Sequence, residues 1–100
     1  MDFAQINHAA LAVLPRLLAR WLPAGRIEGV EYVALNPLRG DHRLGSFKVN
    51  LVTGRWADFA VADARGGDVV SLGAYLGGLG QGEAAERLAA MLRIGGRDGR

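Results

Sequence analysis

Few residues of this chain could carry out catalysis. It has only two histidines, His8 and His42, and neither belongs to a nucleophile motif such as G-x-S-x-G. Asp58 and Asp63 could form a pair of carboxylates, but two acids beside a loop are usually solvated or cap a helix. The lack of cysteine excludes a thiol nucleophile, a disulfide and a thiolate zinc site. We therefore expect no enzymatic activity in this chain.

The sequence also disfavours a phosphate loop and a metal site. Gly66-Gly67-Asp68 precedes a predicted helix, where free backbone N–H groups could hold an anion. However, no GxxxxGK[ST] or GxGxxG motif occurs, and the Asp68 carboxylate would occupy the place of the phosphate. Asp68 is therefore predicted to be a helix N-cap. Asp41 and His42 have no second histidine nearby, so we expect no bound metal and no cofactor.

Basic side chains interleaved with aromatic ones form the pattern that most suggests binding. Cations bind the phosphates of single-stranded nucleic acid, and flat rings stack on its bases. Alternatively, the aromatic residues, with Phe47, form the core of a thin sheet. The pattern covers a loop, a hairpin and the exit of that hairpin, and consists of Arg39, Arg43, Lys48, Arg55 and Arg65 with Trp56 and Phe59.

Composition is less informative than these residues. The chain has 100 residues, half of them hydrophobic, which suits a single small domain. Its net charge of +2 is small, although eleven of its twelve cations are arginine. The planar fork of arginine suits phosphate, but a GC-rich genome produces the same enrichment without any function, and we favour that interpretation. No apolar run is long enough to span a bilayer, and the N-terminus lacks the basic start of a secretory signal. We expect a cytoplasmic protein without a membrane partner.

The N-terminal third is predicted to be helical over residues 8–22. Asn7 is the expected N-cap. Pro15 predicts either a kink or the first turn of a second helix. The apolar positions at helical spacing are Leu11, Leu14, Leu18 and Trp21.

The middle of the chain is predicted to form strands. Residues 28–35 contain β-branched and aromatic side chains typical of one strand. Residues 46–52 alternate, with Phe47 and Val49 on one face and Lys48 on the other. A turn at Thr53-Gly54 then leads into a partner strand over 55–60.

Helices return in the last third, over 69–76 and 82–92, and residues 95–100 are expected to be a flexible polar tail. The predicted fold class is therefore α+β, with a small sheet built on a β-hairpin, an N-terminal helix and two C-terminal helices. The predicted organisation is one domain over 1–100, with a helical extension at 8–22 and a core at 28–94.

A series of short motifs extends over about residues 30–94. It runs Asn36-Pro37-Leu38-Arg39, then Leu44-Gly45-Ser46-Phe47-Lys48-Val49, Gly54-Arg55-Trp56-Ala57-Asp58-Phe59 and Gly66-Gly67-Asp68-Val69-Val70-Ser71-Leu72, followed by the Glu83-Ala84-Ala85 helix. The order of these motifs resembles the N-terminal zinc-ribbon domain of DnaG-type bacterial primases and related phage and plasmid primase-like proteins.

The metal ligands of that family are absent from this chain. By the resemblance, Asn36 stands in place of the first cysteine and Arg39 in place of the histidine. Asp58 stands near the third ligand, and Val61 or Ala62 near the fourth. The resemblance thus implies a zinc-ribbon-like sheet without metal, held together by packing.

The resemblance implies binding of single-stranded DNA during replication, with polymerisation left to a separate catalytic domain. Lys48, Arg55 and Trp56 correspond most closely to the exposed strands of the family. A replication helicase or a primase catalytic domain would be the protein partner. The alternative hypothesis is a protein-interaction module that has lost nucleic-acid binding and exposes an apolar patch at Leu72, Tyr75, Leu76 and Leu79.

Overall fold

The computed structural model describes residues 2–38 and 45–93, which form four helices and an antiparallel sheet of five strands. This arrangement confirms the predicted α+β class. The elements, in chain order, are α1 (Phe3–Ala12), α2 (Leu14–Trp21), β1 (Arg26–Glu28), β2 (Glu31–Ala34), β3 (Phe47–Asn50), β4 (Trp56–Asp58), β5 (Arg65–Gly66), α3 (Val69–Gly77) and α4 (Gln81–Leu92).

The five strands lie side by side in the order in which they occur in the chain. The predicted hairpin is present as β3 and β4, where Phe47 pairs with Asp58 and Val49 with Trp56. The single strand predicted over 28–35 is instead two strands, because Gly29 adopts a φ of 62° and turns the chain between them. β5 was not predicted, since two residues are too few to show an alternating pattern.

One face of the sheet, which we call the inner face, packs against the helices. Phe47 and Val49 point to this face and are buried with Leu14 and Leu18 of α2 and Leu72 of α3. Burying each such side chain contributes about 1.5–3 kcal/mol to folding. The predicted alternation of β3 is therefore confirmed, because Phe47 and Val49 lie in the core while Lys48 points to the opposite, outer face.

The N-terminal segment forms two helices rather than one. Pro15 lies in the first turn of α2, which confirms the second of its two predicted roles. Asn7 is not an N-cap of its own helix, because α1 begins at Phe3 and is capped by Asp2, whose Oδ1 accepts a hydrogen bond from the Gln5 N–H at 3.0 Å. Asn7 instead caps α3: its Oδ1 accepts from the Val70 N–H at 2.9 Å.

Asp68 is the N-cap of α3, as predicted. Its Oδ1 accepts from the Ser71 N–H at 2.8 Å, and its Oδ2 accepts from the Asn7 Nδ2 group at 3.2 Å. The helix ends at Gly77 and is followed by its C-cap Gly78, which adopts the left-handed conformation with a φ of 64°. The next predicted helix, over 82–92, is present as α4, and the tail predicted over 95–100 lies outside the described residues.

Two of the positions that the resemblance assigns to lost zinc ligands form a buried polar network. Asn36 and Asp58 are 0% and 2% exposed. The Asn36 Nδ2 group donates to Asp58 Oδ2 at 2.8 Å and to the Tyr75 hydroxyl at 2.9 Å. These bonds join the end of β2 to β4 and α3. No cluster of three or more metal-ligating side chains occurs within 2–38 and 45–93.

The N-terminal pair of helices also closes the inner face. α1 packs against both α3 and α4, so that the two ends of the described chain meet on one side of the sheet. None of the helices in this part of the chain is long and apolar enough to cross a membrane.

Candidate nucleic-acid interface

The outer face of the sheet carries a row of side chains set by strand register. Lys48 on β3 lies opposite Ala57 on β4, and Ala57 lies opposite Arg65 on β5. Directly paired residues of an antiparallel sheet point to the same face, so all three share the face that the helices do not cover. Neighbouring strands lie about 4.8 Å apart, so the backbone positions of Lys48 and Arg65 are about 10 Å apart along this row.

A second row runs beside the first. Glu31 on β2 pairs with Asn50 on β3. The Arg55 carbonyl accepts from the Asn50 N–H at 2.7 Å, which places Arg55 at the end of the same row. Asn50 also fixes the turn that follows it, because its Oδ1 accepts from the N–H groups of Val52 at 2.8 Å and Thr53 at 2.9 Å.

The two rows enclose a groove of about 540 Å³, which we call the sheet groove. Its floor includes the small side chain of Ala57, and long side chains stand around it. The longer and polar lining residues are Glu31, Lys48, Asn50, Arg55, Phe59 and Arg65.

The charge of the sheet groove is mainly positive. Arg55 and Arg65 are exposed, and in the part of the chain that the structure describes neither guanidinium forms an ion pair. Lys48 Nζ lies 3.9 Å from Glu31 Oε1, which is a loose contact between two partly exposed side chains. Two arginines are thus free to bind anions, and one lysine is partly balanced by an acid.

Phe59 lies at one end of this groove and is 73% exposed. It follows β4 directly, and the Lys48 Nζ lies 6.0 Å from the centroid of its ring. The interpretation of Phe59 as a core residue is therefore wrong, since its ring is open to solvent. An exposed ring beside cations has the form of a stacking platform for a base.

Trp56 points the other way. Its side chain lies on the inner face and is 5% exposed, and its Nε1 donates to the Ser71 hydroxyl at 2.9 Å. Its ring lies 4.9 Å, centroid to centroid, from that of Tyr75. This burial contradicts the predicted role of Trp56 in contacting nucleic acid, because no base can reach its ring face. It supports the alternative that Trp56 and Phe47 are core residues.

The register explains which aromatic residue is buried. Trp56 pairs with Val49, an inner-face residue, so its side chain must point inward. Gly66 pairs with Trp56 from the other side, and a Cβ at Gly66 would overlap the Trp56 indole and the Ser71 hydroxyl. The sequence does contain a signal that distinguishes Trp56 from Phe59. If the alternation of inward and outward side chains in β3 is continued across the predicted turn into β4, Trp56 points inward and Phe59 points outward.

The structure thus brings three of the six predicted binding residues together: Lys48, Arg55 and Arg65 line the sheet groove. Trp56 reaches the groove only at its edge and is otherwise in the core. Arg39 and Arg43 lie outside the described residues.

A second groove, of about 310 Å³, is apolar and lies between α3 and α4. Leu76 and Leu79, two residues of the predicted apolar patch, line it together with Met91. Leu72 does not belong to any patch because it is fully buried, and the Tyr75 hydroxyl is bonded to Asn36. The prediction that Leu72 belongs to an exposed patch is therefore wrong, and the apolar surface is smaller than expected.

Comparison of the chain with protein-family models, curated proteins and solved structures found no match. The resemblance to primase zinc-ribbon domains accordingly stays a prediction made from the sequence motifs.

Proposed function

We propose that this chain binds single-stranded DNA along the sheet groove. The observation that carries the proposal is that Lys48, Arg55 and Arg65 line one groove together with the exposed ring of Phe59. These cations come from three separate parts of the sequence, and only the register of the sheet brings them onto one face.

Each part of the groove has a role in this proposal. The guanidinium groups of Arg55 and Arg65 contact phosphates, since each is exposed and without an acidic partner among the described residues. Phe59 stacks on a base, as flat apolar rings do in proteins that bind single strands. A duplex would hide its base faces from Phe59, so the groove favours a single strand.

The motif order supports a more specific form of the proposal. The chain would be a metal-free, primase-type ribbon module that acts in replication in the bacterial cytoplasm, beside a replication helicase or a primase catalytic domain. Catalysis would then belong to that partner and not to this chain.

Fluorescence anisotropy with an oligothymidine of about 15 nucleotides tests the proposal. The two phosphate contacts of Arg55 and Arg65 predict a log–log slope of affinity against salt of about −1.4, or a loss of roughly 7-fold between 50 and 200 mM salt. Arg55→Gln and Arg65→Gln should each weaken binding and reduce that slope by about 0.7.

Arg16→Gln is the matched control, because it removes the same charge from an exposed position on α2, away from the sheet groove. An equal loss of affinity in Arg55→Gln, Arg65→Gln and Arg16→Gln would show a general effect of net charge and would contradict a binding site in the sheet groove. No binding of the oligonucleotide at low salt would remove the proposal.

The apolar groove between α3 and α4 favours the alternative function of a protein-interaction module, since Leu76 and Leu79 line it. This alternative predicts a chain that self-associates or depends on a partner and does not bind the oligonucleotide. Sedimentation velocity with wild type and Leu76→Ser separates the two: concentration-dependent association lost in the variant supports interaction, and a monomer at all concentrations opposes it.

A further inference from the structure

Phosphate binding does not explain why the acidic residue Glu31 lines the sheet groove. It is the only acid that lines the sheet groove among the described residues, and a carboxylate beside a phosphate site opposes the binding of that phosphate. Its side chain is 40% exposed and faces a Lys48 side chain that is 36% exposed. An acid in this position therefore suggests recognition of a hydrogen-bond donor on the ligand.

The Glu31 carboxylate is a hydrogen-bond acceptor and the Lys48 ammonium is a donor, and the two do not bond to each other. Their charged atoms are 3.9 Å apart, which is longer than a hydrogen bond, so each can bond to a third group lying between or above them. A ligand that suits this pair must present an acceptor and a donor side by side. The edges of nucleic-acid bases have this arrangement.

We propose, on the basis of the proposed single-stranded DNA binding, that Glu31 and Lys48 read the Watson–Crick edge of a guanine. The Glu31 carboxylate accepts from the guanine N1–H and the N2 amino group. The Lys48 ammonium donates to guanine O6. The guanine O6, N1 and N2 atoms are then all hydrogen-bonded, and both oxygens of the Glu31 carboxylate accept a hydrogen bond.

Guanine is distinguished from the other bases by its number of adjacent donors. Its Watson–Crick edge carries two neighbouring donors, whereas thymine, cytosine and adenine each offer this carboxylate one. The additional bond is charge-assisted, and a bidentate contact of this kind discriminates against the wrong base by about tenfold. An unpaired edge of this type is available only in a single strand.

The position of Phe59 fits this assignment. Lys48 lies between the two other groups, with its Nζ 3.9 Å from Glu31 Oε1 and 6.0 Å from the centroid of the Phe59 ring. A nucleotide at Glu31 and Lys48 would therefore be next to the nucleotide whose base stacks on Phe59.

The first test compares an oligothymidine with the same oligonucleotide carrying one central guanine. Wild-type protein should bind the guanine-containing strand about tenfold more tightly. Glu31→Gln should lose this preference while still binding the oligothymidine, because it replaces one of the two acceptor oxygens by an NH2 donor that cannot bond to a guanine donor. Glu28→Gln is the matched control: Glu28 belongs to the neighbouring strand β1 and pairs with Arg26 at 2.6 Å, and it does not line the groove.

Two base analogues show which edge is read. Inosine lacks the N2 amino group and should lose most of the preference. 7-Deazaguanine keeps the whole Watson–Crick edge and should bind like guanine. Loss of affinity with 7-deazaguanine would indicate contacts on the Hoogsteen edge and would overturn the assignment.

The outcomes separate this inference from the proposed function. If oligothymidine binds in a salt-dependent way and guanine gives no gain, base reading by Glu31 is wrong and the DNA-binding proposal stands. If Glu31→Gln keeps the guanine preference, the residue assignment is wrong. If neither oligonucleotide binds at low salt, both proposals fail.

Discussion

The rings of Trp56 and Phe59 lie on opposite faces of the sheet although only two residues separate them. Trp56 is paired with Val49 inside the sheet and packs under α3, while Phe59 follows the last residue of β4 and is open to solvent. Sequence alone shows two aromatic residues of similar character among cations. Their different burial follows from strand register, which sets the direction of each side chain.

Phe59→Ala should weaken binding of single-stranded DNA about tenfold, because stacking of one base on an aromatic ring contributes about 1–3 kcal/mol. The salt dependence should not change, since no charge is removed. Anisotropy titration at two salt concentrations measures both quantities. Phe3→Ala is the control, because Phe3 is an exposed phenylalanine on α1 outside the groove. An equal loss in both variants would count against a stacking role for Phe59.

At the scale of elements, local signals predicted some boundaries and missed others. Asp68 as N-cap, Pro15 in the first turn of a helix and the hairpin of β3 and β4 all depend on neighbouring residues, and each is present. β1 and β5 have three and two residues, and their hydrogen bonds to neighbouring strands define them rather than any pattern of their own. Sequence patterns could therefore predict the fold class but not the width of the sheet.

The contact between α1 and α3 could not be predicted for a related reason. Asn7 has the residue type of a cap, and the sequence assigned that cap to the nearest helix. Its side chain instead bonds to Val70 and Asp68, which are more than 60 positions away. The residue type was informative, and the partner depended on tertiary packing.

Asn7→Ala should lower the free energy of unfolding by about 1–2 kcal/mol, because it leaves the partly buried Val70 N–H without its side-chain acceptor. Urea unfolding followed by circular dichroism measures the change. His8→Ala, at an exposed position of the same helix, should cost nothing. Equal stability of wild type and Asn7→Ala would show that the cap does not hold α1 to α3.

At the scale of the whole molecule, the sheet separates a stabilising face from a binding face. The inner face carries the apolar core, and the outer face carries the sheet groove. Of the candidate site, sequence patterning gave Lys48, Arg55, Arg65 and Phe59 but not Glu31 or Asn50. Those two were missed because a lone acid and a turn asparagine show no pattern until strand pairing places them together.

The stability of the molecule should depend on pH through Tyr32. Burial raises the pKa of the Tyr32 hydroxyl above its usual value of 10.0, and the hydroxyl donates to the Leu22 carbonyl at 2.7 Å. The folded state therefore holds this proton more tightly than the unfolded chain. The corresponding stability is complete below about pH 10 and is lost as the pH rises through the higher pKa of the folded state.

Tyr32→Phe should thus lose about 0.5–1.5 kcal/mol at pH 7, through the missing hydrogen bond, and should show a smaller further loss than wild type above pH 10. Chemical denaturation across this range compares the two proteins directly. Parallel curves above pH 10 would contradict a raised pKa for this group.

The order of the strands has a consequence for how the chain folds. Each strand pairs with the one before it, so the five-stranded sheet can grow by successive closures of loops of at most 12 residues. Docking of α1 onto α3 and α4 is different, since it joins the two ends of the described chain. Its entropic cost is highest, and it gains stability only when the inner face of the sheet is already in place. The N-terminal helix is thus expected to add last, as a cover placed on a sheet that has already formed.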